Sequence, residues 1–304
     1  MRIQILLPLL LATAFAGSGA LAQDPQQPQG DDGQDIIVQG SPNPKATINR
    51  FVKELTPAPI GTQLGRFLEP VCPRVLGLPT GQDALVEARM RRIAAAVGAP
   101  VAGPKCTVNL YVLVGGDKAE IIDGLKSKFP DLVAGVPDSV LKRLKASPGP
   151  VAAWQIVGMV GTDGMPLSSV RTSADGDPVL VSNTIGFASR IARVTRPQFL
   201  GSMLVVEAGA LNGVDTRQLA DYAVMRTLAP TDTTHRAALP ANSIIKLFDP
   251  GNTPENGPLS VTHWDFAFLK ALYSSSNQLE AGQQRGEMTA KMAEELARLA
   301  AQGK

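Results

Sequence analysis

The stretch "CTVNLYVLV", Cys106 to Val114, decides the fold class of this chain. Its β-branched and apolar residues occupy both alternating faces, which is typical of a strand in the middle of a sheet that is covered on both sides. The stretches "VAAWQIVGMVG" (151–161) and "SMLVVE" (202–207) predict further strands, and "VLVSNTIGFASRIARV" (179–194) predicts one strand or a bent pair of strands. Helical patterns separate and follow these strands. The sequence therefore predicts an α+β fold with a mixed β-sheet packed against helices.

Apolar residues at helical spacing predict the remaining elements. In residues 81–97, Leu85, Arg89, Ile93 and Val97 share one face of a helix. Thr262 and Asp265 have the spacing of a capping box, which favours a helix start at that point. The other predicted helices span residues 46–56, 117–129, 137–147, 215–228, 243–248, 262–273 and 287–301.

Cys72 and Cys106 are the two cysteines of the chain. In an oxidising compartment such a pair predicts a disulfide, which would tie the loop before helix 81–97 to the start of the central strand. The alternative is a redox-active or nucleophilic thiol. A C-x-x-C pair and a nearby histidine, which would favour that alternative, are missing from the sequence.

The N-terminus has the three parts of a secretory signal in order. Arg2 supplies the positive charge, residues 3–16 supply the apolar segment, and Ala20-Leu21-Ala22 supplies the cleavage site. We therefore expect a periplasmic or secreted protein with no transmembrane segment after cleavage. The expected organisation is a signal peptide (1–22), a flexible linker rich in Gln, Pro and Gly (23–45), a globular α+β domain (46–275) and a C-terminal helical tail (276–304).

Composition argues against several functional classes. The formal net charge is +2, so there is no electrostatic basis for binding nucleic acid. Aromatic residues make up 5% of the chain, which argues against aromatic-lined carbohydrate clefts. A catalytic zinc site usually needs three ligands rich in histidine, and the chain has only His235 and His263, without an H-E-x-x-H motif. No metal or cofactor is expected, and the G-x-S-x-G motif and phosphate-binding loops are also missing.

The stretch "DTRQLADYAVMRTL", residues 215–228, is the densest cluster of polar residues. Arg217 and Asp221 are one turn apart, as are Tyr222 and Arg226, so these residues could form stabilising pairs along a helix. The alternative is a polar cluster that faces a cleft after a central strand. In that case the candidate catalytic residues would be Asp221, Tyr222 and His263.

The stretch "QDIIVQG", residues 34–40, resembles the TonB box of TonB-dependent outer-membrane receptors. Asp35, Ile36, Ile37 and Val38 match that pattern, whereas Gln39 and Gly40 depart from it. Nothing downstream alternates like the strands of a receptor barrel. The resemblance therefore implies at most that the segment adds as a strand to an envelope protein partner. The other interpretation is a linker segment or an edge strand.

A second resemblance covers most of the chain. The stretches "RFLEPVCPRVLGL", "EARMRRIAAAVGAPV", "KCTVNLYVLV", "SRIARVTR" and "QLADYAVMRTLA" resemble a family of exported bacterial proteins of unknown function. The resemblance implies export, pairing of Cys72 with Cys106 and one compact domain, but no catalytic residues.

The predicted order of strands and helices also resembles that of zincin-type metallopeptidases, whose last helix carries zinc ligands. Residues 215–228 occupy that place here without a histidine, so the resemblance implies a zincin-like shell without the usual zinc ligands.

Together these observations favour a periplasmic or secreted protein of unknown function with a binding or envelope-associated role over a catalytic one. The alternative is a hydrolase whose site is assembled from residues distant in sequence. The sequence does not determine the ligand, the oligomeric state, or whether the C-terminal helix packs on the domain.

Overall fold

The structure is a computed structural model that describes a large part of the chain. The described residues are 44–58, 61–161, 164–165, 167–172, 178–181, 193–231, 239, 243–252 and 257–302.

A mixed sheet forms the centre of the described fold, with strands β1 (Pro73–Leu76), β2 (Leu110–Gly115), β3 (Val151–Gly161) and β6 (Thr195–Glu207). The order across the sheet is β1-β2-β6-β3. The strands β1, β2 and β6 are parallel, and β3 is antiparallel to β6. Two further strands, β4 (Ser168–Thr172) and β5 (Pro178–Val181), form a separate antiparallel hairpin.

Helices account for most of the remaining described chain. They are α1 (Pro44–Leu55), α2 (Gln82–Ala96), α3 (Lys118–Lys128), α4 (Asp138–Ala146), α5 (Thr216–Thr227), α6 (His263–Ser274) and α7 (Ala281–Gln302). Three shorter 3₁₀ segments span Pro130–Val133, Ala208–Leu211 and Ile244–Phe248.

Both faces of the sheet are covered, as the apolar central strand predicts. Leu204 and Val206 of β6 belong to a large core that also contains residues of α1, α2, α5, α6 and α7. Met203 and Val205 point to the opposite face, where Trp154 of β3 packs with residues of α3 and α4. Alternate residues of a strand point to opposite faces, so a strand that is covered on both sides must be apolar throughout. The predicted α+β class with a mixed sheet is confirmed.

The helix faces follow the apolar spacing with one difference. In α1, Ile48, Phe51, Val52 and Leu55 are buried, as expected for positions that repeat at helical spacing. In α2 the buried face contains Val86, Met90 and Ala94 instead, and Leu85 is 60% exposed. The inward face of α2 is therefore displaced by one residue from the predicted set, although Arg89 still points toward α5, where it forms an ion pair.

Several strand boundaries differ from the prediction. The central strand begins at Leu110 rather than at Cys106, and β6 begins at Thr195 rather than at Ser202. Only residues 202–207 of β6 pair with β2, so the earlier part of β6 and the end of β3 extend past the sheet as a ribbon, which Arg66 joins through a single bridge to Gln198. The strands β1 and β4 were not predicted.

The C-terminal helix packs on the rest of the fold. Met288 and Met292 of α7 are fully buried in the large core, and Asn49 of α1 donates a hydrogen bond to Thr289. The α6–α7 pair therefore belongs to the same packed layer as α1.

Candidate functional site

Asp221 lies in the middle of α5, a helix that begins with a capping box formed by Asp215 and Gln218. The Asp221 carboxylate has no exposed surface. Arg89 of α2 donates to it through Nε and, at 2.7 Å, through Nη2, and the backbone N–H of Val261 donates at 2.8 Å. A buried carboxylate needs such partners, because removing its charge from water costs several kcal/mol. The geometry gives Asp221 a structural role, joining α2, α5 and the segment before α6.

The expected pair between Arg217 and Asp221 is not formed. Arg217 instead lies 3.7 Å from Asp215, at the exposed start of α5. Arg89, which is 132 positions away in sequence, takes the Asp221 carboxylate. The prediction of that pair along the helix is therefore wrong, because the side chain of Asp221 faces α2 rather than solvent.

Tyr222 is also fully buried and points to a different neighbour. Its ring packs edge-to-face on Phe248 with centroids 4.8 Å apart, and the Arg226 guanidinium lies 5.9 Å from its centroid. The Tyr222 hydroxyl and the Nε and Nη1 atoms of Arg226 have no hydrogen-bond partner among the described residues. The role of Tyr222 in the described structure is therefore packing of the core.

His263 is the first residue of α6, where it is half-buried. In the described part of the chain, no hydrogen bond or ion pair joins His263 to Asp221 or Tyr222. Asp221 contacts the backbone at Val261, two residues before His263. The three candidate residues therefore share a neighbourhood without forming a hydrogen-bonded constellation.

The predicted capping box of α6 is present and belongs to a larger buried network. The backbone N–H of Asp265 donates to the Thr262 hydroxyl, and the Asp265 carboxylate accepts from the Thr262 backbone N–H. The same carboxylate accepts from the Ser243 hydroxyl at 2.7 Å and from the Ile244 backbone N–H at 2.9 Å. Burial raises the pKa of Asp265, and these hydrogen bonds oppose that shift.

The predicted disulfide joins Cys72 to Cys106. It precedes β1 and β2, which are neighbouring parallel strands, and it closes a loop that contains all of α2. The guanidinium of Arg91 lies 3.4 Å from the sulfur of Cys106 and donates to the carbonyl of Ala102. The disulfide therefore fixes the helix that supplies Arg89 to Asp221.

A cleft opens where the three parallel strands end. It has a volume of about 210 Å³. Gly77 has a positive φ of 93°, and a Cβ there would collide with the carbonyl oxygen of Val114, so the loop after β1 can lie against the end of β2 only with glycine. The cleft is lined by Gly77, Leu78, Pro79, Gln82, Val114, Ala208, Leu211, Asn212, Val214, Asp215, Thr216 and Leu219.

The carboxyl ends of parallel strands are a common place for ligands in folds with helices on both sheet faces. The sequence indicated only that α5 follows a central strand. The cleft itself depends on the loop after β1, a strand that was not predicted.

Two further findings concern the described residues only. No group of three or more His, Cys, Asp or Glu side chains among them could hold a metal ion. None of the helices in the described ranges is both long and apolar enough to cross a membrane. The candidate docking residues Asp35, Ile36, Ile37 and Val38, and also His235, lie outside the described residues.

The chain matches no protein-family model, no curated protein and no solved structure.

Proposed function

We propose that this chain is a periplasmic or secreted binding protein of the cell envelope, with its ligand site in the cleft at the ends of β1, β2 and β6. The observation that carries the proposal is this open concavity at the strand ends, which is lined by both apolar and polar residues. Ligand sites in proteins are concave and mostly apolar, with a few polar groups that orient the ligand.

The cleft restricts what can bind. Its volume of about 210 Å³ is below the range of roughly 300–1,000 Å³ that is usual for drug-sized ligands. The cleft therefore fits one small apolar group, which is either a whole small molecule or the end group of a larger ligand. Asn212, Asp215 and Thr216 belong to its lining and supply polar contacts for the adjoining part of that ligand.

Export is supported by two features together. The N-terminal sequence has the order of a secretory signal, and the cysteine pair forms a disulfide. Disulfides persist mainly in oxidising compartments outside the cytosol.

The segment at 34–40 that resembles a TonB box is compatible with an envelope protein partner. Deleting this segment should abolish capture of that partner and should leave the Tm of the protein unchanged.

The hydrolase alternative has less support. It requires Asp221 and Tyr222 to act on a substrate, but Asp221 is engaged by Arg89 and Val261, and Tyr222 is enclosed in the core. A catalytic group must come within hydrogen-bond reach of its substrate. A rearrangement of the core would be needed to expose either side chain.

Fractionation tests the location. The full chain, expressed with its own N-terminus in a bacterium with two membranes, should appear in the periplasm or the medium. Its N-terminus should be Gln23, and both cysteines should resist thiol alkylation until a reductant is added. Full-length protein in the cytosol with reactive thiols would contradict export.

A fragment screen by NMR tests the cleft. We expect small aliphatic and aromatic alcohols, amines and acids to shift the backbone amide signals of Val114, Leu211 and Thr216. Leu211→Trp should fill the cleft and remove these shifts. Leu200→Trp, at a residue of the ribbon that is 53% exposed, should leave them unchanged. Fragments that bind only elsewhere, or equally well to Leu211→Trp, would contradict the proposed site.

A further inference from the structure

A second polar cluster lies at the turn between α6 and α7, next to the start of β6. Its members are Arg66, Arg196 and Asn277. Arg196 Nη1 lies 3.4 Å from Asn277 Oδ1, which places the two side chains side by side. About eleven residues of β6 separate Arg196 from the cleft, which corresponds to roughly 35 Å of extended strand.

Two donors of this cluster lack acceptors. Arg196 Nε and Asn277 Nδ2 are both buried and have no hydrogen-bond partner among the described residues. Asn277 is only 5% exposed, so water cannot readily satisfy its amide. A buried donor without a partner costs about 1–3 kcal/mol, and such atoms in a native protein call for an acceptor that the chain itself does not supply.

The charges of the cluster have the same sign. Neither Arg66 nor Arg196 forms an ion pair with a carboxylate in the described part of the chain. Arg66 Nη1 donates to the backbone carbonyls of Leu272 and Ser275, at the end of α6. Burial lowers the pKa of Arg66, the positive charge of Arg196 lowers it further, and Tyr273 and Glu287 oppose the shift.

The surrounding acids are engaged elsewhere. Glu287 accepts from the backbone N–H of Ser276 and lies 3.6 Å from Lys291. Glu280 forms an ion pair with Arg193. The two guanidinium groups therefore form a local excess of positive charge beside an unpaired amide donor.

We propose that Arg196, Asn277 and Arg66 form a binding site for a small oxyanion, a carboxylate or phosphate group. The Nε side of the Arg196 guanidinium presents parallel N–H donors, the arrangement that binds two oxygens of such a group. Asn277 Nδ2 supplies a further donor, and Arg66 adds favourable charge. Arg66 and Arg196 are half-buried, whereas Arg196 Nε and Asn277 Nδ2 are themselves buried, so a ligand reaches these two donors only when the partly exposed guanidinium groups move aside.

Thermal unfolding in low-salt buffer at pH 7 tests the site with three probes at matched ionic strength: sodium phosphate, sodium acetate and sodium chloride. We expect phosphate or acetate to raise the Tm by about 2–4 °C above the chloride value at saturating concentration. A response to phosphate alone would assign a phosphate group, and a response to acetate alone a carboxylate. Equal Tm values in all three salts would overturn the proposal.

Asn277→Asp is the most specific test, because it places a carboxylate oxygen where the unpaired amide nitrogen lies. It should raise the Tm in chloride by about 2–4 °C and remove the response to the added anion. Gln283→Glu is the matched control, since it adds the same charge at an exposed position of α7. That control should leave both the Tm and the anion response nearly unchanged. A lower Tm for Asn277→Asp than for the control would overturn the proposal.

Arg196→Gln tests the guanidinium directly. It should fold, because Arg196 is only half-buried, and should lose the anion response. Arg193→Gln removes a neighbouring guanidinium that is paired with Glu280, and it should keep the response. Loss of the response in both variants would indicate general charge screening and would also overturn the proposal.

Discussion

The Asp221 carboxylate at the centre of α5 and the Arg196–Asn277 pair at the α6–α7 turn are both polar groups that the fold buries, but they differ in how they are satisfied. At the centre of α5 the Asp221 carboxylate accepts three hydrogen bonds from Arg89 and Val261. At the α6–α7 turn, Arg196 Nε and Asn277 Nδ2 have no acceptor among the described residues. A dense polar stretch in the sequence therefore marks a structural ion pair, and the less conspicuous cluster is the one that keeps two unpaired donors.

The disulfide should have the largest effect on the α5 region, because the loop that it closes contains α2 and Arg89. Replacing both cysteines with alanine should lower the free energy of unfolding by about 3–4 kcal/mol in the chain-entropy account. Urea unfolding of the oxidised and substituted proteins measures the difference. A loss below about 1 kcal/mol would show that α2 is held by packing alone.

Asp221→Asn should be the next largest change, lowering the free energy of unfolding by about 3 kcal/mol. The substitution removes the carboxylate charge that faces the Arg89 cation, and breaking a buried pair in this way is strongly destabilising. Asp123→Asn is the matched control, because Asp123 pairs with Lys145 at the surface. The control should change stability by less than about 1 kcal/mol. Similar losses in the two variants would remove the structural role assigned to Asp221.

Glu295 should give a smaller effect that depends on pH. Hydrogen bonds from Arg298 and then Lys270 outweigh burial and lower the pKa of Glu295 to about 2. The stability that this depressed pKa contributes is present above the unfolded pKa of about 4.5 and is lost as the pH falls from there toward 2. Because Arg298 and Lys270 are partly exposed, we expect about 1 kcal/mol.

The measurement for Glu295 is urea unfolding of the wild-type protein and Glu295→Gln at a series of pH values. The free energies of unfolding of the two proteins should differ at pH 6 and should become equal as the pH falls toward 2. A constant difference across that range would mean that the ion pairs do not contribute to the acid sensitivity.

Tyr222→Phe should have the smallest effect. The Tyr222 hydroxyl has no partner among the described residues, so its removal should be neutral or should stabilise the fold by up to about 1 kcal/mol. Tyr273→Phe is the control, because the Tyr273 hydroxyl donates to the carbonyl of Leu228 at 3.0 Å, and its loss should cost about 1 kcal/mol. A larger cost for Tyr222→Phe than for Tyr273→Phe would point to a role for the Tyr222 hydroxyl.

Much of the fold could be predicted from local patterns. The apolar spacing of α1, the capping box at Thr262 and the continuous apolar run of β2 are signals that a few adjacent residues carry. The strand β1 has only four residues and alternates between buried and exposed, so it is too short to stand out. The early part of β6 contains Pro197 and Gly201, which weaken a strand signal, and it pairs with β3 and, through a single bridge at Gln198, with Arg66.

The sites were harder to predict, because their contacts join distant parts of the chain. Arg89 and Asp221 are separated by 132 positions, and Arg196 and Asn277 by 81. The spacing of Arg217 and Asp221 shows that they could pair along one helix. It does not show that Asp221 faces α2, because that depends on how the two helices pack. An unpaired donor is also invisible in a sequence, since it depends on the partners that the fold fails to provide. The capping box could be predicted because Thr262 and Asp265 are only three positions apart. The hydrogen bond from Ser243 to Asp265 joins residues 22 positions apart and could not be predicted.

One comparison tests the central claim most directly: thermal unfolding of Asp221→Asn and Asn277→Asp beside the wild-type protein in chloride buffer at pH 7. The two variants exchange the same pair of nearly isosteric side chains in opposite directions. The account predicts that Asp221→Asn lowers the Tm by at least about 6 °C and that Asn277→Asp raises it by about 2–4 °C. A fall in Tm for both variants would contradict the claim that the fold satisfies the first site and leaves the second open for an anion.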